Sequence, residues 1–313
     1  MPPARAVTAA LATTALGAAA WAALVEPRAF VLRRHTVPVL PPGSPPVRVL
    51  HLSDVHLVPG QEAKVAWIRS LAALRPDLVV HTGDNLAHHR AVPHVLRAYE
   101  GLLDVPGVFV LGSNDYFPPT PKNPLRYFND SHRRGEALTA ERLPTQDLVD
   151  ALTSRGWTDL DNARAELTVR GVAFELVGVD DPHLGYDRLP APRLAAPDAV
   201  RLGVAHAPYR RVLDAMATDG ARLLLAGHTH GGQLRVPFVG ALVTNCDLDT
   251  GRARGLSRWW PGAGCPHAGP APADAAYLHV SAGLGASPYT NIRFACRPEA
   301  TLLTLVDGPG QAR

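Results

Sequence analysis

Leu78-Val79-Val80-His81-Thr82-Gly83-Asp84 is a short apolar run that stops at a carboxylate, and four other stretches repeat the pattern. Val49-Leu50-His51-Leu52-Ser53 leads into Asp54, and Val108-Phe109-Val110-Leu111-Gly112 into Ser113-Asn114. Leu202-Gly203-Val204-Ala205 leads into His206, and Leu223-Leu224-Leu225-Ala226-Gly227 into His228. Continuous apolar runs of this length, bounded by Gly or Pro and alternating with helical stretches, read as buried strands of an α/β sheet covered on its faces. Ligands of such sheets gather at the carboxyl ends of the strands. Five strand ends carrying carboxylate, carboxamide and imidazole therefore predict one convergent site.

The side chains at those ends are metal ligands by type. Asp54 and His56 are two apart, so an extended backbone puts both on one face, and His228 and His230 share that spacing in GHTHGG. Carboxylates and imidazoles without a neighbouring thiolate suit Mn, Fe, Zn or similar ions better than a Cys-rich structural zinc. Two such pairs, with Asp84, Asn114 and His206, exceed what one ion needs, and two ions sharing a carboxylate would use them all. His51 and His81 lie inside their strands and read as core residues. Asp180-Asp181-Pro182 reads as loop carboxylates capping backbone groups, and Gly231-Gly232 as a tight turn.

Taken in order, DVH at Asp54 to His56, GDN at Gly83 to Asn85, GSND at Gly112 to Asp115, AHAP around His206 and GHTHGGQ at Gly227 to Gln233 resemble the calcineurin-like metallophosphoesterases over about Val47 to Val306. The resemblance implies a four-layer αββα sandwich, two mixed β-sheets flanked by helices. It also implies that Asp54, His56 and His230 hold a first divalent ion, that Asn114, His206 and His228 hold a second, and that Asp84 bridges the two. The activity implied is hydrolysis of a phosphoester, phosphodiester or pyrophosphate bond by a hydroxide shared between the metals. Asp84, Asn114 and Asp115 are the expected catalytic residues, and Asn85, His183 and Arg126 the expected substrate contacts. In the family the third motif usually reads GNHD, with Asn a ligand and His an acid for the leaving group. In GSND either Ser113 or Asn114 takes the ligand position, Asn114 being favoured, and the His is absent. Neither Ser nor Asn is an acid near neutral pH, so His88, His89, His183 or a metal-bound water is left to carry that proton.

At 313 residues and 46% hydrophobic content the chain can bury a substantial core as one catalytic domain, expected over residues 47–307 with a short tail at 308–313. A net charge of +3 argues against nucleic acid as a partner. Lys occurs only at positions 64 and 122, which reads as coding bias. Residues 1–46 form a separate leader. Ala6 to Val25 carries no charge and is long enough to cross a bilayer, which suits a membrane anchor. A secretory signal with Ala18-Ala19-Ala20 near the cleavage site and a soluble amphipathic arm are the competing readings. Pro38 to Pro46 reads as a stiff linker.

Helices are expected over Gln61 to Leu74, Val92 to Leu103 and Gln146 to Ser154, and a hairpin over Glu166 to Val169 and Val172 to Val177. Tyr116 to Arg134 reads as an insertion tethered beside the site, either a wall or lid over the substrate or a surface loop ordered by prolines, and Arg252 to Ala276 as a second insertion, with Trp259 and Trp260 suited to a packed loop or a membrane interface. Cys246, Cys265 and Cys296 give no disulfide framework, with Cys246 to Cys265 as a bridge if the domain is exported. The leader and the GHTHGGQ motif resemble the branch that includes UDP-2,3-diacylglucosamine hydrolases. That implies a phosphorylated small-molecule or lipid substrate. A non-catalytic metal-binding scaffold and a soluble exported nucleotide phosphodiesterase are the alternatives.

Overall fold

A computed structural model describes residues 2–121, 141–193, 199–265 and 267–308. Two six-stranded mixed sheets carry the fold. The first runs, in spatial order, β1 (Val31–Leu40), β14 (Glu299–Asp307), β2 (Val47–Leu52), β3 (Leu78–Thr82), β4 (Gly107–Val110) and β5 (Thr158–Asp159). The second runs β12 (Gly255–Trp259), β13 (Ala276–Val280), β9 (Leu223–Ala226), β8 (Val200–Val204), β7 (Val172–Gly178) and β6 (Arg164–Val169). β2 to β5 are parallel, as are β7, β8, β9 and β13, so the carboxyl ends of the motif-bearing strands fall on a common side of each sheet. A small hairpin, β10 (Arg235–Val236) with β11 (Gly240–Ala241), stands apart from both sheets.

The period-two alternation of each strand divides its apolar side chains between two layers. In β2, Val47 and Val49 face the second sheet, while Leu50 and Leu52 face helices. Val80, Val110, Phe174, Leu202 and Leu225 meet between the sheets. Outside the first sheet lie α2 (Glu62–Ser70), α3 (Val92–Tyr99) and α5 (Thr145–Thr153), and α6 (Arg210–Thr218) packs on the outer face of the second. The short α4 (Ser113–Tyr116) follows β4 directly. The result is the expected four-layer αββα sandwich. The hairpin of β6 and β7 turns at Arg170 and Gly171, both with positive φ (50° and 79°), which matches the right-handed twist of the flanking strands.

The structure differs from the sequence reading at several points. β1 contains Pro38 and pairs with β14 from Val31 as far as Leu40, with Val37 and Val39 buried, so the sheet begins within the leader and runs into the stretch read as a linker. Pro38 is tolerated because β1 is an edge strand. The leader forms α1 (Pro2–Ala20), continued by a wider turn at Trp21–Val25 and a tighter one at Glu26–Arg28. Among the described residues no helix is long and apolar enough to cross a membrane. Trp259 is buried on β12, its Nε1 donating to Asp214 Oδ1 at 3.0 Å, with Arg252 over the ring. It is a packing residue. Cys246, Cys265 and Cys296 are free thiols.

Because Phe174 fills the contact between the sheets far from the strand ends, Phe174→Ala is expected to lower unfolding stability by about 3–5 kcal/mol. Chemical denaturation checks this, and hydrolytic activity per folded molecule should be unchanged.

Candidate metal centre

Asp54, His56, Asp84, Asn114, His206, His228 and His230 meet in one cluster at the carboxyl ends of β2, β3, β4, β8 and β9, all of them buried except the half-buried Asn114 and His230. Asp84 lies in the middle. Its Oδ2 is 3.3 Å from His56 Nε2, 3.5 Å from His206 Nε2 and accepts from Asn114 Nδ2 at 2.8 Å. Asp54 Oδ1 is 3.6 Å from His230 Nε2, and both Asp54 oxygens accept from the His228 backbone N–H at 3.0 to 3.1 Å. Ligand atoms of Asp54, His56 and His230, and of Asp54, Asp84 and His206, each gather within 4.8 Å.

The imidazoles are turned so that their second ring nitrogens converge. His206 Nδ1 lies 2.7 Å from Thr82 O, His230 Nδ1 lies 2.9 Å from Gly285 O, and His228 Nε2 lies 3.2 Å from Asn245 O. A carbonyl only accepts, so each of those nitrogens carries a proton and the other ring nitrogen is the one turned inward, its lone pair free in the neutral rings of His228 and His230. The inward nitrogens approach one another: His56 Nε2 to His230 Nε2 is 3.3 Å, and His228 Nδ1 to His206 Nε2 is 3.3 Å. Ring nitrogens grouped so closely beside two carboxylates form a donor set chemically matched to divalent cations. Burial holds His56, His228 and His230 below the usual imidazole range, with His230 pushed down to about 3. His206 is the exception. Burial alone would lower it, but Asp84, Asp181 and Asp54 outweigh burial and raise it to about 9. Burial also raises Asp54 to about 6, a shift that Asp84 reinforces.

The backbone around the cluster is strained. Asp54, His56, Asp84, His228 and His230 all have φ between 44° and 66°, a region that non-glycine residues rarely occupy and that collects at functional sites. The turns are also too crowded for side chains. A Cβ on Gly227 would lie 1.8 Å from Ser53 Oγ and 2.5 Å from Asp54 Oδ2. One on Gly112 would lie 2.4 Å from Asp84 Oδ1.

The other nominated residues occupy different places. Asn114, rather than Ser113, turns its side chain to Asp84, and its backbone N–H donates to Asp84 Oδ1 at 2.7 Å. The Asp115 carboxylate sits one layer behind, accepting from the backbone N–H groups of Asp84, Asn85, Leu86 and Gly112 at 2.7 to 3.1 Å. It therefore ties the third motif to the second. Asn85 is buried, its Oδ1 accepting from Tyr99 Oη at 2.7 Å. His183 stands at the edge of the cluster, its ring 4.7 Å from that of His228 and its Nδ1 3.1 Å from Tyr209 Oη. Asp181 is buried, accepts from the His183 backbone N–H at 2.8 Å and is raised to about 7 by burial. Arg126 lies outside the described residues, as does most of the Tyr116 to Arg134 insertion.

Three features escaped the sequence reading. Asp54 Oδ2 accepts from Ser53 Oγ at 2.5 Å, Ser53 Oγ accepts from Thr82 Oγ1 at 2.7 Å, and Thr82 Oγ1 lies 2.9 Å from His51 Nε2. His51 Nδ1 lies 2.8 Å from His279 Nδ1. Because Thr82 spends its only proton on Ser53, His51 Nε2 must donate, so His51 Nδ1 accepts from His279. Every step points toward Asp54. Both rings are neutral, His51 being held at about 3 chiefly by burial. The second feature is Arg293, fully buried and donating to the carbonyls of Ala282, Gly285 and Cys296 at 2.6 to 3.2 Å. It fixes the loop whose Gly285 carbonyl holds His230. The third is Lys64, buried beneath the DVH turn with Nζ donating to Val55 O at 2.8 Å. The rarity of Lys was its only signal in the sequence.

A buried, strained cluster of carboxylates and neutral imidazoles on an αββα sandwich defines a metal-dependent phosphoesterase. The family model for calcineurin-like phosphoesterases matches residues 47–232, and the chain belongs to that family. It is 29% identical over 290 residues to the phosphodiesterase YaeI of Escherichia coli strain K12, covering 90% of each chain. It is 25% identical over 307 residues to the uncharacterized metallophosphoesterase YkuE of Bacillus subtilis, covering 94% of this chain and 92% of that one. A Bos taurus transmembrane protein with a metallophosphoesterase domain is 26% identical over 259 residues, covering 77% of this chain and 53% of its own length. The protein is a hydrolase of the metallophosphoesterase type.

Two outcomes follow for metal binding. His206 must lose its proton to act as a ligand, so affinity for Mn is expected to rise with pH, about tenfold per unit from neutrality to about 9, and then to level off. Titrations at stepped pH check this. Gly227→Ala, which drives a methyl group into Ser53 and Asp54, should weaken Mn binding by about tenfold or more, read as bound metal per folded chain.

Proposed function

We propose that the protein hydrolyses a phosphodiester or pyrophosphate bond with two divalent ions, of the Mn, Fe or Zn class, held between its two sheets. In this reading Asp54, His56 and His230 take one ion, Asn114, His206 and His228 the other, and Asp84 lies between them. The observation that carries it is the position of Asp84 Oδ2, within 3.5 Å of a nitrogen from each set. Bound divalent ions supply Lewis-acid polarisation of the phosphate and lower the pKa of water toward about 7.

The chain's own residues do the rest. The carbonyls of Thr82, Gly285 and Asn245 keep three imidazole lone pairs aimed inward, and Asp115 keeps the Asp84 and Asn114 turns in register. The directed chain from His279 through His51, Thr82 and Ser53 ends on Asp54 Oδ2 and fixes its carboxylate plane. His183, steadied by Tyr209 Oη and standing beside His228, is the group that takes the place of the missing histidine of the third motif and hands a proton to the leaving oxygen. The substrate class is lipid-linked and the chain works at a membrane, associated through its amino-terminal segment. The apolar leader supports this, as does the likeness to a relative named as a transmembrane protein. Within the family the reading places the chain beside the UDP-2,3-diacylglucosamine hydrolases.

Hydrolysis of bis(p-nitrophenyl) phosphate with added Mn is the test. Turnover should vanish on chelation and return with metal, and Asp84→Asn should lower it by about three orders of magnitude or more. Folded, metal-loaded protein that turns over no phosphodiester would overturn the proposal. His183→Ala should lower kcat, less for substrates with acidic leaving groups than for alkyl esters, since only the latter need a proton. Equal losses on both would remove His183 from that role.

A further inference from the structure

Large apolar side chains stand exposed on three segments that touch one another. On the leader, Trp21 and Leu24 face solvent. At the β10–β11 hairpin, Phe238 is fully exposed, Val239 is 74% exposed and Leu242 is half-exposed. On the loop before β14, Tyr289 and Ile292 do the same. These are joined physically. Gln233 Nε2 donates to the carbonyls of Thr290 and Ile292, Leu234 bridges Phe294, and the Arg293 backbone N–H donates to Ala22 O at 2.9 Å. A groove of about 460 Å³ between the leader's Ala18, Ala19 and Ala22 and the hairpin's Leu234 and Val236 completes one apolar face. Monomeric soluble proteins rarely expose such contiguous surface without a partner.

The chemistry of the face selects the partner. Residues 2–25, 228–246 and 275–298 contain no Asp or Glu. The acid nearest in sequence, Glu26, is buried and turned inward to Trp21 Nε1 and the Cys296 backbone N–H. Three Arg residues lie beside it: Arg235 lines the groove, Arg28 donates to Leu24 O, and Arg297 donates to Ala29 O and Phe30 O. An apolar surface carrying an exposed Trp, Phe and Tyr, edged by Arg and free of carboxylates, is complementary to the boundary layer of an anionic bilayer. Its position relative to the metal centre is fixed. His230 opens the turn that leads into the hairpin, and its carbonyl accepts from Cys296 Sγ at 3.2 Å on the same loop.

We infer that the β10–β11 hairpin, the 288–294 loop and the leader together form a monotopic docking face for anionic lipid, with Phe238 and Val239 entering the acyl boundary and the metal centre held at its edge. This rests on the membrane association proposed above in one respect, that the chain meets a lipid surface. Beyond that it assigns the contact to the folded domain and makes spanning unnecessary.

Cosedimentation of the full chain with vesicles of phosphatidylcholine alone, or of equimolar phosphatidylcholine and phosphatidylglycerol, tests it. The chain should bind the anionic vesicles more tightly. A Phe238→Asp, Val239→Asp double variant should bind them at least about tenfold more weakly, with bis(p-nitrophenyl) phosphate turnover within twofold of the parent. Retained turnover reports that the variant is folded, and Leu242→Arg serves as a milder second variant if it is not. Undiminished vesicle binding by the hairpin variants, with loss only in Leu16→Glu, Leu24→Glu, would overturn the inference and leave association through the leader standing. No vesicle binding by the parent would overturn both. A parent dimer that the hairpin variants dissociate, seen by analytical ultracentrifugation without lipid, would make the face a self-interface and overturn it. Vesicle binding without turnover would sink the proposed activity alone.

Discussion

Two buried carboxylates, Asp54 and Asp84, set the terms for the rest of this molecule. Both are almost wholly shielded from water, and an isolated buried charge is far too costly to persist without compensation. In the protein alone the compensation comes from His206, raised toward protonation by those same carboxylates, and from backbone N–H groups aimed at Asp54 and Asp84. The three other imidazoles of the cluster are held neutral by burial and cannot supply positive charge. The arrangement is therefore anionic by construction and matched to cations of higher charge than a proton.

That demand explains features that weaken the fold locally. Five donor residues sit in left-handed backbone, glycines line the turns because no side chain fits, and a directed run of hydrogen bonds crosses the space between the sheets to reach Asp54. The left-handed backbone is unfavourable by itself, and the buried polar run is tolerated only because each of its steps has a partner. The stability that permits them comes from the three apolar layers, where Val49, Val80, Val110, Leu202 and Leu225 bring the two sheets together. The same sheets point their parallel strand ends to one side, so packing and site assembly are a single event.

The sequence carried the site in the form of residue types at strand ends. The five apolar runs became β2, β3, β4, β8 and β9, and a donor within two residues of each run reached the cluster, because strand length and alternation are local properties. It carried less about what lies behind the donors. His51 read as an ordinary core histidine, although its partner His279 is 228 positions away, and no local pattern reports such a pair. Arg293 and Lys64 gave no motif, since their work is to hold carbonyls of distant turns. Asp115 was legible as part of the third motif, but that its carboxylate faces backbone N–H groups rather than the cluster was not. Pro38 suggested a linker because proline usually ends a strand, yet an edge position removes that objection.

From the amino-acid order alone came the class of fold, the family and five side chains grouped so that they could hold metal, Asp54, His56, Asp84, His206 and His230, because these depend on periodicity and on chemistry carried by single residues. Which nitrogen of each imidazole faces inward, which of Ser113 and Asn114 turns to Asp84, and which apolar residues remain uncovered were decided only in three dimensions. Those outcomes depend on carbonyls, hydroxyls and turns that meet across the two sheets, and the chain acquires such neighbours only when it packs.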